Sequence, residues 1–113
     1  MPAHGKYLTG TATTDAVAGS KAVVTFTVPS GVSWIFDYAT VAVNATNNIV
    51  RIRAGGNSIW EDLTDVTTET PIDFATRYPR ALQVDAGETI EFEVETTENV
   101  AKTITAKVWV IEG

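Results

Sequence analysis

Apolar and polar residues alternate with a period of two through much of this chain. The clearest stretch is Ala81 to Glu95, ALQVDAGETIEFEVE. Leu82 and Val84 alternate with Gln83 and Asp85. Asp85-Ala86-Gly87-Glu88 then breaks the pattern as a tight turn, and Ile90, Phe92 and Val94 alternate with Glu91, Glu93 and Glu95. One apolar face and one row of carboxylates describe a half-buried antiparallel strand with its polar side in water.

The rest of the chain follows the same grammar. Ala22 to Val28 predicts a strand with Val24, Phe26 and Val28 on one face, closed by the turn Pro29-Ser30-Gly31. Ser33 to Val43 is the longest candidate strand. Trp34, Phe36 and Tyr38 fall on one face and Ile35, Ala39, Val41 and Val43 on the other. Asp37 interrupts the second face, as a bulge or a shift of register would. Ile49 to Ala54 places Val50 and Ile52 inward and Arg51 and Arg53 outward, and Gly55-Gly56-Asn57 is a hairpin signal leading to a short return strand at Ser58 to Trp60. Short extended pieces are expected near Leu63 and over Pro71 to Phe74. Thr103 to Ile111 is the last strand, with Ile104, Ala106, Val108 and Val110 inward and Trp109 and Ile111 on the opposite face. Seven to nine short strands with turn chemistry between them predict an all-β fold, an antiparallel two-sheet β-sandwich. The Cys-Trp-Cys pattern of immunoglobulin domains is missing, which favours a jelly-roll-like arrangement. Residues 15–113 would form the sandwich domain, and residues 1–14 an N-terminal arm or edge strand.

Composition supports this picture. Thr and Val are abundant and Leu is scarce, which suits pleated surfaces. At 113 residues the chain is long enough for one core without cross-links, and it has no cysteine. Its net charge of −6 disfavours nucleic acid and anionic membranes as partners. No apolar run is long enough to span a bilayer, and the N-terminus lacks the apolar core of a secretory signal. The protein is expected to stay inside the producing cell or to leave it within a particle.

Candidate chemistry is sparse. The single histidine, His4, lies in the N-terminal segment, so neither a histidine-dependent nucleophile nor a nitrogen- or sulfur-ligated zinc site is expected. The row Glu91, Glu93, Glu95 has the periodicity of a solvated strand face rather than of a catalytic pair. Glu61, Asp62, Asp65, Glu69 and Asp73 cluster without the spacing of a calcium loop. Asp37, Glu61 and Asp62 are the carboxylates an enzymatic reading would test. No cofactor is expected. Arg51 and Arg53 pair with the glutamate row on the plain reading, or with a neighbour on the other. The aromatic residues carry the strongest hint. Trp109 and Ile111 are out of phase with the inward residues of their strand, and Trp34 is out of phase with Val41 and Val43. Exposed tryptophan on a sheet face marks an interface or a sugar platform. The interface candidates are Tyr7, Leu8, Trp34, Trp60, Trp109, Ile111, Arg51 and Arg53.

Pro29-Ser30-Gly31 before a long strand, Asn57-Ser58-Ile59-Trp60 after a Gly-Gly turn, and the run Leu82 to Ile90 together resemble the small β-sandwich virion proteins of tailed bacteriophages, which decorate heads or belong to tails. The resemblance implies a non-enzymatic virion protein, a homo-oligomer with a trimer expected, bound to a major capsid or tail protein. The turn Ala86-Gly87-Glu88-Thr89 also occurs in carbohydrate-binding modules. The alternative is therefore a carbohydrate-binding or receptor-binding module that uses exposed aromatics.

Overall fold

A computed structural model describes the backbone of residues 4–55, 57–63, 70–73 and 83–113, and the side chains of residues 5–55 and 83–113. Among the described residues nine strands follow in order: β1 (His4–Thr13), β2 (Lys21–Thr27), β3 (Trp34–Val43), β4 (Asn48–Ala54), β5 (Asn57–Leu63), β6 (Thr70–Asp73), β7 (Gln83–Val84), β8 (Thr89–Thr96) and β9 (Thr103–Glu112). They form two antiparallel sheets. The first has the order β1-β9-β3-β6, with β7 also pairing β3, and the second has the order β2-β8-β4-β5. Most connections cross from one sheet to the other, and the order is that of a jelly roll. The turn at Asp85–Glu88 is one such crossing. It joins β7 in the first sheet to β8 in the second, and Gly87 supplies its positive φ of 83°.

The core lies between the sheets. Trp34, Phe36, Val41, Ile104 and Val108 of the first sheet face Val24, Val50, Ile52, Ile90 and Phe92 of the second. Phe26 meets Phe92 edge to face, ring centroids 6.3 Å apart. At one edge the sheets come close enough to exclude a side chain. A Cβ on Gly10 of β1 would lie 2.7 Å from a Val24 methyl of β2.

The long strand β3 corrects the simple alternation. Its register against β9 shifts between Phe36 and Tyr38, a β-bulge at Asp37. The extra residue moves everything beyond it to the other face. Trp34 and Phe36 therefore share the core face with Ala39, Val41 and Val43, while Tyr38 points outward. Trp34 is 2 % exposed, so it offers no surface to a partner, contrary to the phase expected from an unbroken strand.

The N-terminal residues 4–13 are built into the sandwich. β1 pairs with β9 along its whole length, from His4 opposite Glu112 to Thr13 opposite Thr103. Its inner face carries Leu8 and Ala12, both packed against the core. Leu8, expected as an interface residue, is turned inward by that pairing. β5 runs to Leu63, longer than the three-residue return strand expected, and Ala54 pairs with Asn57 across the turn that Gly55 opens with φ 60°.

Candidate functional site

The two outer faces differ sharply. On the second sheet, Val23, Glu93 and Arg51 form one cross-strand row and Thr25, Glu91 and Arg53 the next. Arg51 donates to Glu93 at 3.0 Å and to Glu95 at 2.9 Å. Arg53 donates to Glu93 at 3.1 Å and to Glu91 at 3.4 Å. Glu93 sits between the two guanidinium groups and is almost fully covered. Its burial would raise its pKa, but the hydrogen bonds from Arg51 and Arg53 outweigh that and hold the carboxyl below its usual range. For Arg51, the bonds it donates to Glu95 and Glu93 push its pKa above the ordinary value. For Arg53 burial works against the charge, yet Glu93 and Glu91 still raise it. Arg51 and Arg53 are thus committed to the glutamate row of their own chain.

The outer face of the first sheet is aromatic. Tyr7 of β1, Trp109 of β9 and Tyr38 of β3 are register partners in one row across three strands. The ring centroids of Tyr7 and Trp109 lie 5.0 Å apart with planes inclined at 40°, and those of Trp109 and Tyr38 lie 5.4 Å apart at 56°. Tyr7 is 50 % exposed and Trp109 37 %. The next row holds Gly5, Ile111 and Ile35, and Ile111 is as exposed as Trp109. On the other side of the aromatics come Thr9, Lys107 and Thr40, then Thr11, Thr105 and Ala42. The face therefore grades from aliphatic through aromatic to hydroxyl-rich. A ring row of this kind binds flat apolar surface, and the hydroxyls beside it supply hydrogen bonds.

Of the expected interface residues, Tyr7, Trp109 and Ile111 come together on this face. Trp34 and Leu8 lie inward, and Arg51 and Arg53 lie on the opposite sheet. The side chain of Trp60 lies outside the described residues, as do those of Glu61, Asp62, Asp65, Glu69 and Asp73. Asp37 is exposed at the bulge. Tyr38 was not among the expected residues. Its signal was present in the sequence, because a bulge at Asp37 shifts Tyr38 to the face of Trp109.

One end of the sandwich is tied by a buried ammonium. Lys102 is fully buried, and its Nζ donates to the Thr46 carbonyl and to Glu98. The bond from Lys102 lowers the Glu98 pKa below its ordinary value. Glu98 also accepts from Asn47 Nδ2, and the Lys102 backbone N–H donates to Thr14 Oγ1 at 3.0 Å. The Ala18 N–H donates to Asn99 Oδ1 at 2.9 Å. The loops 14–20, 44–47 and 97–102 are thereby joined to one another.

No family model matches the chain, and no curated protein matches it. The chain has a partial likeness to several solved structures. One described as "CBM4 structure and function" is 12 % identical, with a TM-score of 0.46 over 85 % of this chain and 77 % of that one. The CBM36-1 domain of a multidomain xylanase from the hindgut metagenome of Trinervitermes trinervoides is 15 % identical, with a TM-score of 0.39 over 88 % and 75 % of the two chains. A carbohydrate-binding module CBM36 in complex with calcium and xylotriose is 12 % identical, with a TM-score of 0.36 over 86 % and 76 %.

Proposed function

We propose that this chain is a non-catalytic carbohydrate-binding module that holds a glycan on the row Tyr7–Trp109–Tyr38. The observation that carries the reading is the row itself. Three aromatic rings lie side by side across β1, β9 and β3, and Tyr7 on the edge strand and Trp109 on its neighbour are open to solvent. The apolar faces of sugar rings stack on such surfaces, and the exposed Thr9 and Thr11 on the same face offer hydroxyls to bond sugar hydroxyls. The successive ring planes are tilted by 40° and 56°, so the surface turns along its length. It fits a single twisting chain better than the flat face of a crystalline polymer.

Tryptophan fluorescence supplies the test. In a Trp60→Phe variant, titration with an array of soluble polysaccharides is expected to change Trp109 emission, while the buried Trp34 stays constant. Trp109→Ala is expected to abolish binding. Failure of the wild-type chain to bind any glycan in the array would remove the reading.

A second reading has its own support. Ile111 and Ile35 extend the aromatic row with aliphatic surface, which a protein partner uses more readily than a sugar. On that reading the chain is an assembly protein of a virus particle, docked on a capsid or tail component through the same face. Binding to particles that Ile111→Ser abolishes, with no glycan bound, would favour it.

A further inference from the structure

We propose that β1 is a docking edge for a second copy of this chain, the two β1 strands pairing antiparallel about a two-fold axis at Thr9. This inference stands whether the aromatic row binds a glycan or a protein.

The ladder fixes which backbone groups are unpaired among the described residues. Thr14 N–H donates to the Lys102 carbonyl at 2.9 Å, so that pair is hydrogen-bonded. Antiparallel bonding alternates every second residue. With the β1–β9 register unbroken, residues 4, 6, 8, 10 and 12 bond β9. Gly5, Tyr7, Thr9, Thr11 and Thr13 then direct both N–H and C=O to the open side of the sheet, where β1 is the terminal strand.

Exposed edges are usually blunted by charge, proline or a bulge. Between Gly5 and Thr13, β1 has no proline and no bulge. Its one charged side chain, Lys6, is 3.3 Å from Glu112. The carboxylate row lies on the other sheet's outer face, away from this edge.

The strand is also complementary to itself. A two-fold axis at Thr9 sets Tyr7 opposite Thr11 of the second copy, Leu8 opposite its Gly10, Lys6 opposite its Ala12 and Gly5 opposite its Thr13. Every large side chain meets a small one, no like charges face each other, and each outward N–H and C=O of Gly5, Tyr7, Thr9, Thr11 and Thr13 finds a partner. Residues i and j exchange roles between copies, as a two-fold contact requires. Paired residues share a face of a sheet, so the two aromatic rows come to lie on one side of a continuous sheet.

Sedimentation equilibrium over a concentration series tests the proposal. The wild-type mass is expected to rise from 12.1 kDa toward twice that value. Thr9→Lys and Thr9→Glu each place like charges across the axis. Each variant alone is expected to remain monomeric and to melt like the wild type diluted to its monomeric range, and an equimolar mixture is expected to dimerise again. Thr9→Pro removes an N–H that β9 does not use and is expected to block pairing, as edge positions tolerate proline. A wild-type chain that stays monomeric up to its solubility limit overturns the proposal. So does a dimer that survives both charged variants, or one lost in Trp109→Ala but not in Thr9→Lys. A charged mixture that fails to dimerise overturns the register at Thr9.

Discussion

The indole N–H of Trp34 donates to a Glu112 carboxylate oxygen at 2.8 Å, across the register that pairs the two residues in β3 and β9. The Lys6 ammonium lies 3.3 Å from the same oxygen and 5.7 Å from the Trp34 ring centroid. A polar atom at the end of the core is thus satisfied by a residue near the end of the chain. Removing the acceptor leaves the indole N–H unpaired. Glu112→Ala is expected to lower stability by roughly 1–3 kcal/mol, and Glu112→Gln, which keeps an oxygen, by less. Urea midpoints of the two variants check this.

The bulge makes a prediction about length rather than chemistry. Asp37→Ala keeps the residue count and is expected to fold with a melting temperature close to the wild type. Deleting Asp37 is expected to prevent folding, because Trp34 and Phe36 would turn away from the face of Val41 and Val43. Near-UV circular dichroism separates the two outcomes.

Gly10 tests the closeness of the sheets at their edge. Gly10→Ala drives a methyl into the Val24 side chain and is expected to cost roughly 1–3 kcal/mol. In a Gly10→Ala/Val24→Ala double variant, the two penalties are expected to sum to less than the separate values. Thermal melts of the four proteins in the cycle supply the numbers.

Glu93 gives a pH dependence whose sign follows from its lowered pKa. A carboxyl that ionises more readily when folded adds stability above its unfolded pKa of about 4.3. That contribution is lost as the pH falls below 4.3 and through the folded value. Melting temperatures of the wild type are expected to drop on that acid limb. Glu93→Gln is expected to melt lower at pH 7 and to show a shallower acid limb, so that the two curves converge at low pH.

Trp109 should separate binding from folding. It is partly exposed and stacks on two tyrosines, so Trp109→Ala is expected to cost stability of only about 1 kcal/mol. Loss of ligand binding in a variant that retains the wild-type circular dichroism spectrum is the expected outcome.

Much of this fold was legible in the alternation of residues. Ile90, Phe92 and Val94 face the core and Glu91, Glu93 and Glu95 face out, as their period of two implies. The same logic placed Trp109 and Ile111 outside. It went astray at Trp34, because phase counting assumes an unbroken strand and one inserted residue reverses it. Asp37 was visible as an interruption, yet periodicity alone does not say which half of the strand keeps its face. β9, whose phase is regular, decides that by pairing with both halves. The aromatic row was harder still to foresee. Tyr7 and Trp109 are about a hundred residues apart, and only the pairing of β1 with β9 makes them neighbours. The arginine–glutamate pairing was expected from types and periods, but the near-complete covering of Glu93 was not, since it depends on two arginines closing over one carboxylate.

Lys102 has a consequence for how this end of the molecule can change. Its positive charge is tethered to the backbone, so dilution or a chelator cannot carry it off. Three turns converge on that anchored charge and on the residues beside it. Lengthening any one of them would loosen the other two.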